Sequence, residues 1–191
     1  MSQAKKSLGA KTIAFPVPAW AIGTYDAEGK PNVMTAAWSG ICCSRPPCMA
    51  VSLRQATSTY GNMVARQAFT ISIPSENHVR EIDHIGVVSG RDVDKFAALG
   101  LTAARAEHVD APYIEEFPVI IECKVLHTIE IGLHTQFIGE ILDVKVDEAV
   151  LDDKGQPDAG KVKPVVFSPG DRAYHGLGEF LGQAFSIGRE K

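Results

Sequence analysis

Short runs of alternating apolar and polar residues, separated by turn signals, recur along almost the whole chain. No other feature constrains the fold as much. In Ala68–Ile73 (AFTISI), Phe69, Ile71 and Ile73 alternate with Thr70 and Ser72, the period-two pattern of a strand with one buried face. Val119–His127 (VIIECKVLH) alternates Val119, Ile121, Cys123 and Val125 against Glu122 and Lys124. Phe15–Thr24, Pro31–Trp38, Pro47–Leu53, Gln136–Val146 and Pro164–Phe167 read as further strands. The polar stretch Tyr25–Lys30 joins the first two of these as a hairpin, and Gly29 there is free to adopt positive φ.

Helical signals are fewer. Ser58–Arg66 follows Thr57, and either Thr57 or Ser58 suits the N-cap. Ser75–Ile85 opens on a serine and sets Val79 and Ile82 on one face. Asp92 is placed to cap a short helix over Asp92–Leu99, which Gly100 stops. Ala173–Ser186 is a last, glycine-interrupted stretch, and 152–161 (DDKGQPDAGK) reads as an exposed loop. Many short strands with few helices predict a mainly β fold with attached helices, a small barrel. One domain over residues 1–191 is expected, with 1–12 as an N-terminal extension.

Composition narrows the function classes. With 45% apolar residues the chain can build a sizeable core. A net charge of −4 argues against extended nucleic acid as a partner. No window of apolar residues is long enough to span a membrane, and the lysine-bearing start lacks the apolar run of a signal peptide, so a cytoplasmic location is expected. Cys42, Cys43, Cys48 and Cys123 form no C-x-x-C pair. They read either as buried or semi-buried free thiols or, for Cys43 and Cys48, as a redox pair. No nucleotide-binding, zinc-protease or serine-hydrolase motif is present; His78 and Glu81 alone do not make a metal site, and no metal is expected.

Three segments carry chemistry. In SLRQATSTY (52–60) a strand ends on Arg54 and a hydroxyl-rich turn opens a helix. The free N–H groups and positive end of that helix suit a phosphate, with Arg54, Thr57, Ser58 and Thr59 as further donors. Simple capping of the helix explains the same residues. In PNVMTAAWSG (31–40), the small residues Thr35, Ala36 and Ala37 let a flat ring approach the backbone. Trp38 can stack on such a ring or pack in the core. In SGRDVDKF (89–96), Gly90 gives a tight turn and Lys95 offers a point charge to an anion, although a solvated charged face reads equally well.

Taken in order, PNVMTAAWSG (31–40), the double proline of SRPP (44–47), AVSLR (50–54), TSTYGN (57–62), FTISIPS (69–75), VSGRDVDKFA (88–97), FPVIIECKV (117–125) and HTQFIGEILDV (134–144) resemble the flavin reductase-like family. That family lies among the FMN-binding split-barrel proteins, and the likeness is nearest its flavoredoxin-like branch. The resemblance implies a split β-barrel homodimer with one FMN per subunit. It implies Arg54, Ser58, Thr59 and Lys95 at the phosphate, and Thr35, Ala36, Trp38, Ser52, Ser89 and Gly90 at the ring and ribityl chain. It also implies NAD(P)H as reductant, with hydride passing to flavin N5 and on to free flavin or another acceptor, and His134 positioning the nicotinamide. Many members carry Gly-Asp-His where this chain has Gly132-Leu133-His134. That departure leaves open an FMN-carrying electron-transfer protein reduced by a partner, beside the further alternative of a non-catalytic binding barrel. Tyr174 and His175 fall in a region that lies over the flavin in related proteins.

Overall fold

The computed structural model describes residues 4–189. In chain order its elements are β1 (Val17–Pro18), β2 (Trp20–Tyr25), β3 (Pro31–Ala36), β4 (Ser39–Ser44), β5 (Pro47–Arg54), α1 (Ser58–Arg66), β6 (Ala68–Ile73), α2 (Val79–Val87), α3 (Lys95–Leu99), β7 (Ala103–Arg105), β8 (Pro112–Ile114), β9 (Val119–Ile131), β10 (His134–Val146), α4 (Ala159–Val162), β11 (Val166–Ser168) and β12 (Ala173–His175). Among these residues the main sheet has seven antiparallel strands in the order β3-β2-β6-β9-β10-β5-β4. A small sheet, β1-β11-β12, and the β7-β8 pair lie beside it.

The sheet curls on itself because β3 runs straight into β4. At the bend, Ser52 N–H donates to the Trp38 carbonyl at 2.9 Å. The inner faces then share one core: Ile22, Ala36, Met49, Val51, Leu53, Phe69, Ile71, Cys123, Val125 and Phe137, with Met63 of α1 closing one end. Burying each large apolar side chain of this kind is worth about 1.5–3 kcal/mol. Gly139 permits the closure, since a Cβ there would sit 2.6 Å from the Phe69 ring. The outer face of β2 and β3 is covered in turn: Ala21 and Val33 pack with Ile82 and Ile85 of α2 and Phe96 of α3. The first strands are therefore buried on both faces, and β3 forms one edge of the sheet. This mainly β, split-barrel arrangement is the fold class the sequence predicts.

A buried carboxylate fixes the loop before β8. Glu122 is fully buried, accepts from the backbone N–H of Glu107 at 3.2 Å and of His108 at 2.7 Å, and faces Lys145 Nζ at 3.4 Å. Its charge is thus both hydrogen-bonded and paired, the condition under which a buried ion is tolerated.

Several expectations are corrected. Phe15–Thr24 is two strands, because Pro16 and Pro18 lack the N–H groups a central strand needs, and Val17–Pro18 joins the small sheet. Ser39–Ser44 is a strand that was not anticipated, and β9 runs on to Ile131. The stretch from Ser75 starts as a 3-10 turn over Glu76–His78 before α2 begins. The third helix starts at Lys95 and is capped by Asp94, which accepts from Ala97 N–H at 3.2 Å; Asp92 lies in the preceding turn. Gly100 does end it, at φ 66°. Ala173–Ser186 opens as a strand on β11, and the glycines beyond it carry an extended arm. Within 152–161, a turn closed by the Leu151–Pro157 bridge leads into α4, where Asp158 caps the helix at Gly160 N–H.

Candidate functional site

The strand-to-helix turn after β5 forms one wall of a cavity of about 230 Å³. Ala56, Thr57, Ser58 and Thr59 supply that wall, Asn32 and Met34 of β3 the floor, and Ile85–Gly90 with Lys95 the opposite side. Thr57 Oγ1 accepts from Tyr60 N–H at 3.3 Å, so it caps α1. The N–H groups of Ser58 and Thr59, in the first turn, have no intrahelical acceptor. The Ser58 hydroxyl is buried and has no hydrogen-bond partner. An orphaned donor of this kind is costly unless a ligand meets it.

Lys95 faces it from α3. Its side chain is 4% exposed, and its Nζ donates to the Val33 and Ile85 carbonyls, each at 2.8 Å. An ammonium carries three N–H groups, so one remains for a ligand. Burial lowers its pKa from 10.5 to about 8, and no carboxylate offsets that desolvation. A buried cation, an orphaned hydroxyl and a helix N-terminus together make a seat for a phosphate dianion.

The wall opposite α1 depends on a glycine. A Cβ at Gly90 would lie 2.0 Å from Asn32 Oδ1. Asn32 Nδ2 in turn donates to Thr59 Oγ1 at 3.0 Å, tying the cradle's two sides together. Ser89 also lines the cavity; it is exposed, and its hydroxyl accepts from Arg91 N–H at 3.2 Å.

A second cavity, of about 430 Å³, is lined by Trp38, Ser52, Ile131, His134, Val17 and residues 11–14. Trp38 is 38% exposed at the bend after β3, so it is not a core residue. Ser52 Oγ accepts from Gln136 Nε2 at 3.4 Å. Trp38, Ser52 and Gln136 also border an adjoining hollow of about 290 Å³ over Ser39–Ile41 and Ala50. The result is an aromatic and apolar groove with a few polar groups at one side, which suits a flat, partly polar ring.

Arg54 lines neither cavity. It is exposed at the end of β5, directly across the strand pair from His134 of the groove and two residues before Ala56 of the cradle. Thr35 and Ala36 also point elsewhere: Thr35 Oγ1 donates to the Ile82 carbonyl, and Ala36 is in the barrel core. What these two offer a ring is the main chain of edge strand β3. Tyr174 donates to Asp83 Oδ1 at 3.0 Å, and burial, with Asp83, raises its pKa to about 12. His175 is exposed; neither residue lines the cradle or the groove.

Ser58, Thr59, Ser89, Gly90 and Lys95 therefore meet in one cavity, and Trp38, Ser52 and His134 in another. Sequence reasoning missed Asn32, whose part appears only when Gly90 is seen against it. Residues 11–14 line the groove as well, although nothing in their sequence signals a ligand.

Comparison with known proteins bears on what these cavities serve. The family model for the flavin reductase like domain matches residues 12–176. The fold is similar to flavoredoxin of Desulfovibrio vulgaris (Miyazaki F), with 59% identity, a TM-score of 0.93, and coverage of 97% of this chain and all of that one. Flavoredoxin from Methanosarcina acetivorans is 26% identical with a TM-score of 0.87, over 99% of this chain and 98% of that one. An uncharacterized protein of Archaeoglobus fulgidus is 33% identical over 129 residues, 68% of this chain and 72% of that one. The chain belongs to the flavin reductase-like family, and its function is a flavin-related redox one.

Proposed function

We propose that this chain is an FMN-carrying redox protein of the flavoredoxin-like kind, which receives electrons from one partner and passes them to another. The observation that carries the reading is Lys95: a buried ammonium with a spare N–H, facing the orphaned Ser58 hydroxyl across a phosphate-sized cavity. FMN supplies the electron chemistry when bound. The chain's own residues bind and orient it. Lys95, Ser58, Thr59 and the first N–H groups of α1 hold the phosphate, and Arg54 adds its guanidinium from the rim. Asn32, Ser89 and Gly90 shape the adjoining wall. Trp38 and Ser52 flank the ring, and the main chain of Thr35 and Ala36 offers polar groups to its edge.

The side chain before His134 favours a protein partner over a nicotinamide. Leu133 is 64% exposed at the tip between β9 and β10, at the position where the family resemblance implies an acid. A second reading, an NAD(P)H-dependent flavin reductase, draws support from His134, which lines the groove beside Trp38 and Ser52. Anaerobic mixing with NADH and then NADPH separates the two. The carrier reading expects flavin absorbance to stay unchanged until a redox protein is added; bleaching by either nucleotide alone supports the reductase.

The protein works as a homodimer in this reading. Leu126, Ile129, Ile131, Leu142 and Val144 are exposed along β9 and β10, and Phe180, Leu181 and Phe185 on the C-terminal arm are each more than 80% exposed. Apolar surface of that extent marks an interface. Light scattering of the purified holoprotein is expected to give twice the chain mass of 20.6 kDa.

A further inference from the structure

Two of the four cysteines are not buried. Cys48 and Cys123 are in the interior, whereas Cys42 and Cys43 are exposed on β4. Cys43 stands directly opposite Cys48 in the β4–β5 hairpin, one pair from the turn that Ser44 and Pro47 close. Directly opposed residues on antiparallel strands have Cα atoms about 4.5–5.5 Å apart, inside the window that a disulfide spans. Being directly opposed, the two side chains also share one face of the hairpin. One sulfur is thus open to solvent and its neighbour is covered, the arrangement of an attacking and a resolving thiol.

We propose that Cys43 and Cys48 form a reversible intramolecular disulfide by exchange with a small soluble disulfide. The Cys43 thiolate attacks one sulfur of the reagent. The reagent's S–S bond breaks, and one thiolate leaves and takes up a proton. Cys48 then gives up its proton and attacks the Cys43 sulfur, releasing the second thiolate, which is protonated in turn. Two protein thiols lose two electrons, and the reagent's disulfide gains them. Cys48 is covered and so is kept from the reagent, but it lies beside the Cys43 sulfur, which suits it to the second step and not to the first. Cys42 is exposed as well, but a β-bulge between Ile41 and Cys43 leaves it without an opposed residue on β5. The other end of the same hairpin carries Trp38 and Ser52, so the bond would staple one wall of the groove.

The test uses the full-length reduced holoprotein, incubated without air with oxidised glutathione and followed by intact mass and peptide mapping. The expected product has lost two hydrogens, carries a Cys43–Cys48 link, and returns to the dithiol on reduction. Cys48→Ser is expected to trap a glutathione adduct on Cys43, Cys43→Ser to abolish the link, and Cys42→Ser to leave it intact. A stable wild-type glutathione adduct, a link through Cys42 or Cys123, or no reaction at Cys43 would each overturn the proposal.

Discussion

The Lys95 ammonium donates to the carbonyl of Val33, 62 residues earlier in the chain, at 2.8 Å. This bond, with its twin to Ile85, orients the cation on a buried wall before any ligand arrives. Replacing Lys95 with Met removes the cation while keeping the length and bulk of the side chain. Charge-assisted hydrogen bonds of this kind are worth about 1.5–3 kcal/mol, so FMN affinity is expected to fall on the order of 100-fold in a fluorescence titration. An unchanged dissociation constant would remove Lys95 from the phosphate site.

The same residue sets a pH dependence. Its pKa is 10.5 in the unfolded chain and about 8 in the folded apoprotein. Between those values the unfolded chain holds one more proton, so apoprotein stability rises with pH across that window, by about 3 kcal/mol in total. Binding runs the other way. A bound phosphate favours the charged lysine, so FMN affinity falls as pH rises above about 8. It also falls below about pH 6, where the phosphate loses its second charge. Urea melts of apoprotein and titrations of FMN, each from pH 5 to about 10, check both signs, and both high-pH effects should vanish in Lys95→Met.

Gly90→Ala is expected to weaken binding more than folding. The added Cβ would meet Asn32 Oδ1 at 2.0 Å and displace that side chain from Thr59. Asn32 is the flexible partner, so the cost in stability is about 1 kcal/mol, one lost hydrogen bond. FMN affinity should drop about tenfold or more, as the displaced amide enters the cradle. Thermal melts of apoprotein beside FMN titrations separate the two effects.

Glu122→Ala probes the fold without touching either cavity. It strips the acceptor from Glu107 N–H and His108 N–H and removes one of the three carboxylates around Lys145, leaving Asp143 and Glu107. Each of the two lost hydrogen bonds to the charged carboxylate is worth about 1.5–3 kcal/mol. A chemical melt is expected to show that loss, and FMN binding to whatever remains folded should be unchanged.

Much of this was legible in the sequence because local pattern and tertiary demand agree. AFTISI forms the strand it spells, Ser58–Arg66 forms the helix that Thr57 caps, and Gly100 ends α3. The residues proposed to contact the ring were harder to read. Trp38 looks like a strand aromatic bound for the core, yet the chain bends there to start an edge strand that folds back on β5 through the Ser44–Pro47 turn. Thr35 and Ala36 lie in the segment that the family resemblance marks, but their side chains serve α2 and the barrel. Asn32 was invisible as a site residue because its significance is a contact with Gly90, 58 positions away, and spacing along the chain carries no trace of it.

The most direct measurement of the central claim compares FMN with riboflavin, which differs only by the phosphate, in binding to apoprotein at pH 7. A cradle built by Lys95, Ser58 and the first turn of α1 predicts that FMN binds about 100-fold more tightly or better, with the ratio shrinking above pH 8 as the lysine loses its proton. Equal affinity for the two ligands, or a ratio that does not change with pH, would contradict it.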